Sequence, residues 1–495
     1  MDPKRHLYYG VIIQFYGMLV MPSFSESHLS LVSSSQLSRV TAFFIDRQYY
    51  SHVLKFALPI ALQQLIFSGL NLVSSVMVGQ LGDTTVAAVG LANQIFFLLN
   101  LLIFGIGSGA AMFTAQLWGQ KDISNIRRVL GLSLTLSLAS AVIFLVLAEL
   151  FPSTILGIYS RDPEVIALGS SYLRIFAFSF IFFGITATIS LVLRSIGEVR
   201  LPVTVTVCAL ILNIILSYVL IFGKLGLPAL GVNGAAYSIL ISRGLECIIL
   251  ISMTYYLKLP IAGNLRELFS FDLVFAGKVL RPVMPIVINE ILWSLGITAY
   301  QVIYARIGTE QLAAINISVA IVDLAMIVFI GLGNATSILV GNFIGSGDEG
   351  QAHVYAGRSL ALSAIGGMVI GILILLLSPF ILSLYKVSPQ TIDYAQSILL
   401  VSCATLWIRM TNLVIFIGVL RAGGDTRYGL ILDGFTIWLV GVPLTAYGAF
   451  VLHLPIHLVY LLTMSEELVK WSLGLWRYFS KKWIHNLTET VSAIN

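Results

Sequence analysis

From Tyr49 onward the chain is a succession of apolar runs, each about 20 residues or more. That recurrence leaves little choice of fold. The hydrocarbon core of a bilayer is about 30 Å thick, so each run is long enough to cross it as a helix. Inside lipid a backbone N–H or C=O finds no water, so a crossing segment must satisfy its own backbone. The runs are too long for barrel strands, which need only about ten residues. Twelve are read: 53–78, 85–110, 127–150, 166–193, 201–222, 231–257, 279–305, 311–338, 354–380, 392–420, 428–450 and 455–476. Only 10% of residues are charged and mean hydropathy is +0.95, so the class is an all-α polytopic membrane protein.

The connections divide by charge. Fifteen Lys and Arg fall on every second connection and the tail, against four on the alternate ones (Arg161, Lys224, Arg306 and Lys386). The positive-inside rule then places both termini in the cytoplasm of a cell inner or plasma membrane. The longest connection splits the chain into an N-lobe, 49–258, and a C-lobe, 278–480, joined by a cytoplasmic linker, 259–277, and followed by a cytoplasmic tail, 481–495. Residues 1–48 are read as an extension outside the core. Within it Leu7 to Phe24 is signal-like or an interfacial helix, or the true start is Met18 or Met21.

The two lobes repeat each other. At a shift of 226, Pro59 meets Pro285, Gly119 meets Gly345 and Asp122 meets Asp348. At 227, Leu193-Arg194-x-x-Gly197-Glu198 meets Leu420-Arg421-x-x-Gly424-Asp425. Six helices per half is an even number, so the halves share one orientation about a pseudo-two-fold axis along the membrane normal. Two such lobes around a cleft suit alternating access, with Pro59 and Pro285 as equivalent hinge positions.

The charges inside the runs break this symmetry. Glu290, Asp323, Arg409 and Asp433 lie well inside four helices of the second lobe, where their repeat partners are Gln64, Phe97, Phe182 and Thr206. An acid in hydrocarbon costs about 2.5–3.5 kcal/mol on insertion scales, so it is expected to face a cavity, a partner or an ion. These four are the candidate cation-coupling residues, with Arg409 expected to hold Glu290. A buried pair that merely pins helices together is the plainer alternative. Arg243 and Glu246, three apart, are expected to pair structurally, and Arg174 and Lys470 to snorkel to an interface. Trp293, Tyr300, Trp407, Asn213 and Gln64 are candidate cleft residues, and Tyr304 and Trp438 are placed near them. Aromatic faces beside a carboxylate suit a lipophilic cation. For each ring singly, helix packing is an equally good reading.

Other chemistry finds no foothold. There is no phosphate-binding loop of the G-x-x-x-x-G-K-[ST] type, so ATP drive within this chain is not expected. The paired G-x-G at 105–107 and 331–333 lies in helical runs and reads as close packing. Gly107-Ser108-Gly109 resembles a serine-protease motif only superficially, since no histidine lies within a following helix core. Cys208, Cys247 and Cys403 sit in apolar runs, which excludes a disulfide framework and a Cys-based zinc site. No enzyme activity, metal, cofactor or nucleic-acid partner is expected.

The chain resembles the multidrug and toxic compound extrusion (MATE) transporters over roughly residues 45–480. The resemblance rests on Leu58-Pro59-Ile60, Val78-Gly79-Gln80-Leu81-Gly82 and Ala87-Ala88-Val89-Gly90-Leu91-Ala92-Asn93. Leu193-Arg194-Ser195-Ile196-Gly197, Asn213-Ile214 and Gly231-Val232-Asn233-Gly234-Ala235-Ala236 also match, as does Val340-Gly341-Asn342. It implies a twelve-helix, V-shaped, MATE-like antiporter that expels organic cations and drugs on a proton or sodium gradient. The family's first-lobe polar positions fall on Ser74, Ser217 and Ile239, with Asn213 kept, so that cation site is not carried over. The helix-10 acid of the second-lobe branch is replaced near Met410. A divergent branch coupled through Glu290 is therefore expected. The expected function is a monomeric, lipid-embedded secondary antiporter for amphiphilic or cationic organic compounds, with protons preferred and sodium possible. A flippase for a lipid-linked precursor, of the same superfamily, is the alternative.

Overall fold

A computed structural model of the chain describes residues 46–489. The expected N-terminal extension lies outside the described residues, apart from the few that open the first helix. Twelve membrane helices follow. In the N-lobe they are α1 (Arg47–Gly79), α2 (Asp83–Gly119), α3 (Ile123–Leu150), α4 (Pro163–Ala177 and Ser179–Ser195), α5 (Arg200–Phe222) and α6 (Gly231–Tyr256). The C-lobe has α7 (Leu273–Ile307), α8 (Thr309–Gly345), α9 (Glu349–Ser383), α10 (Pro389–Leu420), α11 (Thr426–Phe450) and α12 (Ile456–Thr463 and Ser465–Phe479). Among the described residues ten helices are long and apolar enough to span a membrane alone, and the two halves of α4, bent by 47°, make an eleventh. The twelfth is α12, broken at Met464 and carrying Glu466, Glu467, Lys470 and Arg477.

Local chemistry explains the boundaries. Asp122 and Asp348, partners in the repeat, each cap the helix that follows by accepting from a backbone N–H, of Asn125 and Gln351 respectively. Pro163 and Pro389 open α4 and α10 at a position where the missing N–H costs nothing. Two helices are widened. Val414–Leu420 at the end of α10, and Leu430–Phe435 and Ile437–Gly441 in α11, take the looser i→i+5 turn, which is rare and concentrates at functional sites.

The lobes exchange parts. The first half of α1 (Tyr49, Val53, Phe56, Ile60) is buried in the core of the C-lobe. The first half of α7 (Phe275, Val279, Val283, Val287) is buried in the core of the N-lobe. Both exchanged halves contain the repeated proline, Pro59 in α1 and Pro285 in α7. Beside them α2 crosses α8 at close range. A Cβ on Gly119 would lie 2.2 Å from the Asn342 carbonyl oxygen, and one on Gly345 would lie 1.8 Å from that of Gln116. Only glycine fits both places. The structure is thus shut at the face that carries the Lys- and Arg-rich connections. Toward the opposite face the repeat partners Leu98 of α2 and Leu324 of α8 are exposed.

The segment after α12 is part of this closure. Trp483 is fully buried in the C-lobe core, whereas Leu487 packs in the core of the N-lobe. His485 N–H donates to the Gly423 carbonyl at 2.8 Å. Gln116 of α2, completely buried, donates to the Ala422 and His485 carbonyls at 2.9 and 3.1 Å and accepts from Leu487 N–H at 2.8 Å. Gln120 donates to Thr488. Asp425, in the connection between α10 and α11, takes Arg477 at 2.6 Å and His485 at 3.8 Å. The expected cytoplasmic tail is, over these residues, a strap across both lobes.

Gln116→Ala strands buried backbone groups, each worth about 1–3 kcal/mol when left unpaired. Amide exchange over 484–488 is expected to quicken by roughly tenfold or more; unchanged exchange would mean that the strap is held elsewhere. Burial raises the Asp425 carboxyl, but the bonds from His485 and Arg477 outweigh it and hold the group below its usual range. A folded pKa lower than the unfolded one, about 3.9, adds stability above that pH, and this is lost as pH falls through the folded value. The strap is therefore expected to loosen in acid below about pH 4. Asp425→Asn should remove that step, and an identical acid profile in the variant would refute the assignment.

Candidate functional site

Glu290 lies in the middle of α7 and is 9% exposed. Its partner is Arg421. The guanidinium Nη2 donates to Glu290 Oε1 at 2.8 Å, and Nη1 donates to Ser108 Oγ of α2 at 3.0 Å. One arginine therefore ties the C-lobe carboxylate to the N-lobe, with the Phe104 ring beneath it. A cavity of about 20 Å³ lies beside the pair, lined by Asn289, Arg421, Asp425 and Thr426 among others. That is room for about one water molecule.

Arg409 does not hold Glu290, contrary to the expectation. It reaches Met326 Sδ at 3.9 Å and lies among Tyr460, Glu467, Asp323 and Glu466. By sequence Arg421 follows the last apolar turn of α10 and reads as a connection charge. It lies at the lobe interface instead, just after the widened turns that end α10. The repeat held a clue. Arg194, the N-lobe partner of Arg421, donates to Gln63 Oε1 of α1 at 2.7 Å. Each lobe folds the same arginine onto its own first helix, and only the second lobe presents it with an acid.

Asp433 and its neighbours form a second buried group. Lys470 Nζ lies 2.8 Å from Asp433 Oδ1 and 3.5 Å from Glu466 Oε1. Asn289, adjacent to Glu290, donates to Asp433 Oδ2 at 2.9 Å. Lys470 is 2% exposed, so the expected snorkelling does not occur. Glu466 and Glu467 are not among the residues the sequence singles out, although they lie within the run 455–476. The polar side of α12 turns inward. Glu467 accepts from Asn412 at 2.7 Å.

The remaining candidates separate. Trp293 is 40% exposed and Trp438 donates to the Leu292 carbonyl. Tyr300 and Tyr304 are buried within the C-lobe and do not face a cleft; Tyr304 bonds Thr463. Trp407 meets Trp471 edge-on. Asn213 donates to Ser238 and Ser242, and Ser217 bonds Ser238 at 2.6 Å, so a neutral hydroxyl network fills this part of the N-lobe. Gln64 is half-buried beside Gln63. Asp323 is exposed on α8. Arg243 and Glu246 do not pair: the guanidinium stacks on Phe96 and Phe183, and the carboxylate accepts from Thr206 at 2.7 Å. Among the described residues no group of His, Cys, Asp and Glu is placed to hold a metal ion.

A model of the MatE family matches residues 59–219 and 285–447, one stretch in each lobe. The probable multidrug resistance protein YoeA of Bacillus subtilis is 30% identical over 393 residues, covering 78% of this chain and 84% of the relative. The probable multidrug resistance protein NorM of Agrobacterium fabrum is 29% identical over 423 residues, covering 81% and 88%. The fold superposes on a MATE transporter crystallised in its bent conformation with a TM-score of 0.80 at 19% identity, over 90% of this chain and 97% of that one. A MOP superfamily transporter from Pyrococcus furiosus gives 0.77 at 20% identity, over 88% and 96%.

Removing Arg421 leaves Glu290 buried without its cation, at a cost of about 3–5 kcal/mol. Arg421→Gln is expected to lower the thermal unfolding midpoint of the purified protein well beyond Arg409→Gln. Equal effects would count against the pairing.

Proposed function

Since the chain belongs to the MatE family of multidrug and toxic compound extrusion transporters, we propose that it is a proton-coupled secondary antiporter. It exports amphiphilic or cationic organic compounds across a cell membrane by alternating access. The observation that carries this reading is the single arginine shared by Glu290 and, across the lobe interface, Ser108. A carboxylate so placed makes the lobe contact dependent on its own charge.

The cycle follows from that geometry. With Glu290 ionised, Arg421 is held between α7 and α2 and the shut face is stable. A proton arriving on Glu290 removes the charge that holds the guanidinium. The lobes then part at this contact, α1 and α7 bending at Pro59 and Pro285. Deprotonation on the other side restores the pair. Protons are preferred over sodium because one carboxylate oxygen of Glu290 already faces Arg421, which repels a second cation. The uneven spread of Lys and Arg supports cytoplasmic termini, and in that orientation the shut face is cytoplasmic and the cleft faces outward. The multidrug names of the relatives support drug-like cations as substrates. A phosphate-bearing flippase substrate fits less well, since Arg421 and Arg243 are both engaged within the protein.

The test is Glu290→Gln in proteoliposomes with an imposed pH gradient and ethidium as the exported probe. Proton-driven export is expected to fall by roughly tenfold or more while the protein stays inserted. Undiminished, still proton-driven export would overturn the reading.

A further inference from the structure

The cycle above uses Glu290 and Arg421 and leaves the second buried group without a task. That group is unusual in its oxygens. Asn289 Oδ1 is buried without a hydrogen-bond partner, and Glu466 Oε2 is buried with Tyr300 Oη beside it, on residues no more than 7% exposed. The tyrosine and glutamate oxygens converge over Gly441, where a Cβ would lie 1.8 and 2.8 Å from them, so a side chain there would close the space. Asp433 supplies one oxygen to Lys470 and the other to Asn289. Buried carboxylates such as Asp433 and Glu466 are costly unless a cation neutralises them.

A cation is already there, and it belongs to the chain. Lys470 Nζ lies between Asp433 and Glu466. Its neighbours on other elements are Asp433 of α11, Tyr300 of α7 beside Glu466, and the Glu290–Arg421 pair one residue along α7 from Asn289. Glu467 is on its own helix, and Arg409 approaches Glu466 from α10. We infer that Lys470 determines the coupling ion: its ammonium fills the seat between Asp433 and Glu466 that a sodium ion would otherwise occupy. A tethered ammonium cannot leave during the cycle. It neutralises the carboxylates that a sodium ion needs, while a proton still binds to a carboxylate directly. The inference rests on the proton reading above but concerns different residues, so the two can fail separately.

The test uses wild-type, Lys470→Gln and Lys470→Arg protein in proteoliposomes, with ethidium as probe. One arm imposes a pH gradient alone and the other an inward sodium gradient alone. Lys470→Gln is expected to gain sodium-driven export at several times the wild-type background, whereas Lys470→Arg keeps the wild-type pattern. An inserted Lys470→Gln protein that exports on a pH gradient with no sodium response overturns the inference. Sodium-driven export by the wild type would instead sink the proton reading. A second measurement does not depend on the variant folding. Purified wild-type protein is expected to show no saturable binding of radioactive sodium. Saturable binding that disappears in Asp433→Asn would place sodium in the seat despite Lys470, and would overturn the inference as well.

Discussion

An ion pair in an apolar interior is stable only as a pair. Glu290 and Arg421 lie 2.8 Å apart and largely buried, so each depends on the other for its charge. Much of the shut face follows from keeping them together. The first half of α7 must reach into the N-lobe to bring Glu290 beside α2. Arg421, at the end of α10, must turn inward to meet it. Gly105 and Gly109 of α2 must stay small where Val287 and Val283 of α7 approach, and Ser108 between them gives the guanidinium a second acceptor.

The two lobes show what a duplicated fold keeps and what it lets go. Both halves keep the devices that set the backbone: the aspartate caps, the prolines in the exchanged helix halves, and the glycines where α2 and α8 cross. The polar interiors have diverged. The N-lobe holds hydroxyls that satisfy one another, from Asn213 to Ser217, Ser238 and Ser242. The C-lobe holds charges that do so only in combination.

The sequence was a good guide to depth and a poor one to direction. Run length located the twelve helices, because the cost of exposing backbone in lipid is independent of detail. The acid at 290 was legible for the same reason. Its partner was not. Arg409 and Arg421 both lie on or beside α10, and choosing between them required knowing how the helix is wound, which the widened turns alter. Lys470 was misplaced because a lysine near the end of a segment ordinarily extends to the interface. The two carboxylates that draw it inward, Asp433 and Glu466, come from a different helix and from the previous turn of its own. The docking of the segment after α12 carries no pattern at all, since it depends on single hydrogen bonds to Gln116 and on two apolar side chains.

That last arrangement has a bearing on how the molecule is made. Gln116 lies in the second helix to enter the membrane, yet the groups it bonds, at His485 and Leu487, are 369 and 371 residues further along. During synthesis an amide that ends fully buried waits unpaired while about three-quarters of the chain is still to come. Each lobe is also left with a gap in its core that the other lobe's first helix half must fill. Neither half can finish folding before the other is inserted, so assembly of the shut face is a late, long-range event that follows helix insertion. A ribosome that stalls after the first lobe leaves in the membrane a six-helix body with an open seam. Such a body would be a substrate for quality control rather than half a transporter.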